Sequence, residues 1–371
     1  MAVVLFHFSG VSHVYPVVRN GGLGVEFFFV LSGFVMTHAY GDRLRGWVAA
    51  KKFVIRRFGR LYPLHLAMLL AMVVLETVKL VISILFDVQS GEPPFSGTNS
   101  LSALAANVFL LNGVGLTRQF TWNVPSWSIS TEFVAYLLFM AICLMSFRAF
   151  RFISIMIMLA AAALKLCYSP ADGAELLICL FGFFLGTQVN LFFRFVSERE
   201  FTSPAWMEWL ALIGIVTVFG LGTTLGPIAA SLVFAFAVFV FAFESGKVSQ
   251  KLVTTVPLHL GVISYSIYLV HFPILTAING SARALESLLH WKLFGLSPDD
   301  KLLLVGSSPW EMDLLLIIFV TIVLACATLT YRYIEDPCRN FFNHFSSRLE
   351  RQTSDQHTPR LRRFLAQYYE G

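Results

Sequence analysis

Six stretches of the chain are apolar almost without interruption: residues 61–86, 129–146, 152–166, 176–193, 258–277 and 314–330. Each approaches the ~20 residues that carry a helix across about 30 Å of hydrocarbon. None shows the strict two-residue alternation of a barrel strand, so backbone bonding within lipid predicts helices. Shorter runs complete a set of about ten spans. They lie near 1–9, 23–40, 61–86, 127–146, 152–168, 175–193, 207–224, 228–243, 258–277 and 312–334. Met1–Phe8 is apolar for only about half a span before Ser9 and Gly10, so the first helix is expected to be truncated.

The polar positions between these runs orient them. The linker after the second span carries Arg43, Arg45, Lys51, Lys52, Arg56, Arg57 and Arg60, whereas residues 87–104 after the third hold neither Lys nor Arg. Basic linkers keep alternating with base-poor ones, which predicts that both termini are cytoplasmic. Leu101–Gly113, counted as a full span, would put every later basic linker outside. It is therefore expected to be a re-entrant or outer interfacial helix. A further outer loop is expected near 278–311. Residues 1–338 form one transmembrane domain in this reading, and 339–371 a basic cytoplasmic tail. Arg360, Arg362, Arg363, Phe364 and Leu365 would suit an anionic leaflet if the tail is amphipathic; a disordered basic tail fits equally.

Composition agrees. The chain is 57% hydrophobic and 13% charged, about half the charge an ordinary soluble domain carries, with a mean hydropathy of +0.71. The net charge of +5 comes from basic residues at helix ends and does not imply nucleic-acid binding. Cys143, Cys167, Cys179, Cys326 and Cys338 show no paired spacing, so neither a metal site nor a disulfide framework is expected. Met1–Phe8 lacks the basic leader of a cleavable signal peptide.

Ionisable side chains inside spans are costly and mark function by default. His7 lies in the first span, Glu26 opens the second, Glu132 lies in the fourth and His271 in the ninth. His7 and Glu26 flank the first outer loop, so the carboxylate could orient the imidazole and raise its basicity, making His7 a general base. A structural ion pair is the alternative. Tyr265, Tyr268 and His271 recur at three-residue spacing and share a helix face, to line a polar cleft or to bond neighbouring helices. Trp127 fits an aromatic belt. Arg56, Arg57 and Arg60 sit at the mouth of the third span with Arg332 at the same level, and the planar guanidinium suits phosphate. A positive-inside anchor explains the same arginines.

Five segments in order resemble the membrane-bound acyltransferase 3 family: Gly22–Phe34, Arg56–Pro63, Trp127–Glu132, Tyr265–His271 and Glu335–Pro337. The resemblance covers nearly the whole chain. It implies transfer of an acyl group, commonly acetyl from acetyl-coenzyme A, to a hydroxyl of a sugar, glycolipid or other envelope or exported acceptor. It further implies that His7 is catalytic with the acid Glu26, and that the inner arginine motif corresponds to Arg57 and Arg60. The family's usual arginine, a helix length before the histidine, has no counterpart among these residues, and an appended esterase-like domain is not expected. On this reading Arg56, Arg57, Arg60 and Arg332 hold the coenzyme A phosphates. Ser32, Trp127, Ser128, Ser130, Glu132, Tyr265, Tyr268 and His271 are substrate or oxyanion candidates. A transient acyl-histidine is an alternative to base catalysis. The expected home is a multi-pass position in a bacterial inner membrane, with the lipid bilayer, acyl-CoA and a glycan acceptor as partners. The competing class is a proton-coupled transporter or exporter of a lipid or polysaccharide.

Overall fold

The computed structural model describes residues 1–8, 16–86, 92–116, 120–167, 174–222, 226–289, 293–296, 302–304 and 309–349. It is an α-helical bundle. Helices α1 (Ala2–His7), α2 (Gly24–Tyr40), α3 (Gly46–Phe86), α4 (Leu101–Val108), α5 (Trp127–Cys143), α6 (Phe147–Cys167) and α7 (Ala174–Ser197) make its first part. Helices α8 (Ala205–Leu221), α9 (Gly226–Phe241), α10 (Thr255–Val262), α11 (Ser264–Leu289) and α12 (Pro309–Thr330) complete it. Among the described residues six helical segments are long and apolar enough to cross a membrane, a seventh if the bent α10–α11 pair is one span; α8 and α9 are shorter apolar helices. Only 17% of the apolar window of α3 is buried within the protein. Its outward positions include Leu70, Val74 and Ile84, each more than half exposed. Apolar side chains in such a continuous row belong against lipid.

Four expectations change in detail. Most of the basic linker before the third span is helix: α3 runs 41 residues, about 60 Å at 1.5 Å per residue, so its arginines ride on a rigid extension of the span. The ninth span is broken, with α10 and α11 meeting at 63° around Ile263. Helix α11 continues to Leu289, well into the expected outer loop, which contains a small antiparallel hairpin of β1 (Phe294–Leu296) and β2 (Leu302–Leu304). The last span runs on as one helical segment to Leu349, past the expected boundary at 338, through a π-helical turn at Tyr331–Glu335. The tail positions 360–365 lie outside the described residues. Helix α4 has eight residues, too few to span. The Ser100 side chain caps it by accepting from Ala103 N, as an N-cap serine does.

Two close crossings organise the bundle. A Cβ on Gly33 of α2 would lie 1.8 Å from the Phe183 carbonyl oxygen of α7, and one on Gly186 would lie 1.9 Å from that of Val30. With no hydrophobic drive between helices in lipid, such small-residue contacts let two backbones touch and gain dispersion energy. Gly59 of α3 likewise admits the Phe342 side chain of the C-terminal helix. Phe29, Phe139, Phe183 and Phe184 fill the centre, each 2% exposed or less.

Candidate functional site

The first site element is the end of α1. Ala2, Val3 and Phe6 turn toward Gly21, Gly22 and Gly24, while Phe8 stacks on Phe319 of α12. That helical phase aims His7 at α11. Its Nδ1 lies 2.9 Å from the Val3 carbonyl oxygen and 3.2 Å from His271 Nε2. The expected His7–Glu26 pair is not formed: among the described residues no hydrogen bond joins them, and buried Glu26 Oε2 has no partner. The helical phase of α1 brings His7 to a histidine instead.

The histidine pair defines its own proton positions. The Val3 and Ile267 carbonyls only accept, so His7 Nδ1 and His271 Nδ1, 3.3 Å from Ile267 O, carry the hydrogens. His271 Nε2 is then the acceptor for a shared His7 Nδ1–H. His7 Nε2 is left with its lone pair, the arrangement a general base requires. His271 is fully buried, whereas His7 is half-buried.

The second element is a cavity of about 240 Å³ between α2, α3, α5 and α11. Arg57 and Arg60 stand at one end, Ser32, Glu132 and Tyr136 in the middle, and Ser128 with Tyr268 at the other. On α5, Ser128, Glu132 and Tyr136 follow at four-residue intervals on one face, a rise of about 12 Å in all. Arg57 donates to Tyr40 Oη at 3.1 Å and lies over the Tyr40 and Tyr136 rings, 5.3 and 6.0 Å from their centroids. Among the described residues its buried Nε–H has no partner. An orphaned guanidinium donor beside a cavity is an anion-binding feature. Arg60 is ion-paired with Glu335, which also accepts from Ser266 Oγ at 2.6 Å. The π-helical turn delivers Glu335 to that point, a use such turns often have at functional sites.

At the far end Ser128 Oγ and Tyr268 Oη are 2.7 Å apart, and both reach the Pro125 carbonyl, at 3.0 and 2.8 Å. Two hydroxyl protons serve these three contacts, so one can turn to a ligand without stranding an acceptor. Tyr268 connects the two elements: it lines the cavity, and its ring lies 6.0 Å from that of His271. Tyr265 also lines the cavity and donates to Leu61 O at 2.6 Å.

Other expected residues point elsewhere. Arg56 bonds Ser346 and Ser347 on the C-terminal helix, because one residue of α3 is about 100° of turn from Arg57. Arg332 is exposed over the Tyr333 ring; Arg339 is the arginine that pairs with Asp336. Ser130 donates to Leu110 O and accepts from Gly113 N, pinning the loop after α4. Trp127 packs on Phe29 and Phe120. Tyr136 and Tyr40 were not anticipated. Tyr136 carried a signal, standing four residues after Glu132 on the same face, whereas Tyr40 reaches Arg57 only through tertiary packing. Among the described residues no group of three or more His, Cys, Asp and Glu is placed to hold a metal ion.

A family model described as an acyltransferase domain matches residues 1–332. The chain belongs to the acyltransferase 3 family. It is 33% identical over 121 residues to acyltransferase MdmB of Streptomyces mycarofaciens, covering 32% of this chain and 27% of that one. It is 49% identical over 51 residues to protein 2 in the picA locus of Rhizobium radiobacter, covering 14% of this chain and 27% of that one. The chain thus spans about a quarter of each of these relatives. No solved structure matches it. Family and apolar helices together make this a multi-pass membrane protein of the acyltransferase 3 family.

Proposed function

We propose that the protein moves an acyl group, acetyl in the simplest case, from acyl-coenzyme A to a hydroxyl of a sugar or other envelope or exported acceptor. The observation that carries this reading is one cavity with guanidinium groups at one end and a hydroxyl pair, beside the histidine dyad, at the other. Arg57 and Arg60 would hold the donor phosphates, with Arg60 exchanging Glu335 for phosphate. The thioester would then reach the Ser128–Tyr268 end. His7 Nε2 takes the proton of the acceptor hydroxyl as its oxygen attacks the thioester carbonyl. The freed hydroxyl of Ser128 or Tyr268 stabilises the oxyanion, and coenzyme A leaves as the thiolate, which takes the proton from His7 and restores the base. The arginine end would face the cytoplasm of a bacterial inner membrane, with both termini on that side, in keeping with the basic linkers.

Turnover tests the reading. Purified protein incubated with radiolabelled acetyl-coenzyme A and total envelope glycans should label a glycan, and His7→Ala should abolish that label while still inserting into membranes. A folded, active His7→Ala protein would remove the base role. No transfer and no binding of coenzyme A would move the reading to transport.

A further inference from the structure

The middle of the cavity holds a group that neither phosphate binding nor proton transfer uses. Glu132 lines the cavity wall. Ser32 Oγ and Tyr136 Oη each donate to its Oε1 at 2.6 Å, and the two hydroxyls are 3.0 Å apart. Both bonds fall on one oxygen; Oε2 receives none among the described residues. A carboxylate has room for about four hydrogen bonds, so half of this one is left for whatever enters. The Tyr136 ring lies under Arg57, which gives an ordered series from guanidinium through phenol to carboxylate along the cavity.

An acceptor-only group at mid-cavity selects a ligand that brings N–H or O–H donors to that level. It also repels phosphate oxygens, which keeps them at the arginine end. The reading that coenzyme A threads this cavity, on which this inference rests, puts the pantetheine arm beside Glu132. That arm carries amide N–H groups and no charge. We infer that Glu132 is a specificity residue for the donor: its Oε2 accepts a pantetheine amide N–H, while Ser32 and Tyr136 hold the carboxylate in position through Oε1. The thioester is thereby held in register with the hydroxyls of Ser128, about one helical turn away on α5, and of Tyr268 on α11.

The test is a coupling measurement. Binding of coenzyme A is compared with binding of an analogue whose pantetheine amides are esters, keeping the shape and removing the N–H groups. This is done with the unaltered protein, Glu132→Gln and Glu132→Ala. The unaltered protein should bind the ester analogue at least ~10-fold more weakly, the worth of one hydrogen bond to a charged group. That penalty should shrink in Glu132→Gln and disappear in Glu132→Ala, with coenzyme A itself bound ~10-fold more weakly. Should Glu132→Ala fail to fold, the Gln variant still decides. A penalty of the same size in every variant overturns the role of Glu132 alone. No binding of coenzyme A by the unaltered protein overturns the donor reading, and this assignment with it.

Discussion

Helix α2 shows two kinds of surface on one 17-residue segment. Toward α7 it presents Val30 and Gly33 and comes so close that a single methyl group would collide with a carbonyl of the neighbour. Toward α3, α5 and α11 it presents Phe28, Ser32 and Met36, and there the bundle opens into the arginine- and hydroxyl-lined cavity. In lipid, water does not drive helices together, so closure has to come from small residues and opening from bulky or polar ones. The glycine face holds α2 rigidly enough that Ser32 meets Glu132 at hydrogen-bond distance.

The contrast can be broken from either face. His7→Ala, beside the open face, should have the largest effect: transfer falls by about 10²–10⁴-fold with the amount of membrane-inserted protein unchanged, read by label transfer to glycan. Gly33→Ala should damage the closed face by about 3 kcal/mol, the upper end of what overpacking costs. Loss of detergent-soluble monodisperse protein, or a large fall in its unfolding temperature, would show it. Arg57→Ala should weaken coenzyme A binding ~10-fold or more through loss of a charge-assisted bond, measured by calorimetry at constant salt. Arg56→Ala, which removes only the tie to Ser346 and Ser347, should leave that affinity within about twofold. It should loosen the C-terminal helix by no more than about 1 kcal/mol, visible as faster hydrogen exchange over 336–349. Equal donor defects in the two arginine variants would erase the distinction between cavity wall and helix tie.

Much of this arrangement was legible beforehand. Apolar runs located the helices, because nothing but hydrocarbon tolerates residues 61–86 or 314–330. The in-order motifs brought Ser32, Arg57, Arg60, Ser128, Glu132, Tyr265 and Tyr268 to one list, and the cavity takes all of them. Helical phase was harder. Spacing along the chain put His7 and Glu26 near the same outer loop, but only the packing of α1 between α11 and the Gly21–Gly24 turn decides that His7 turns to His271. The same applies to Arg56 against Arg57, neighbours in sequence that face opposite partners. Breaks were invisible too: no proline marks the bend at Ile263, and the π-helical turn at Tyr331–Glu335 has no local sequence signature.

A second arginine-lined pocket competes for the donor phosphates, since Arg151 and Arg194 line another cavity with Asp42 and Glu198. Arg194 is already ion-paired with Asp42 there. The most direct measurement is therefore photo-crosslinking with a coenzyme A analogue carrying the reactive group on its acyl end, followed by peptide mapping. Labelling confined to residues 25–36, 128–136 and 264–271, and competed by coenzyme A, is the predicted result. Labelling around Arg151 and Arg194, with residues 128–136 untouched, would contradict the assignment of the donor site.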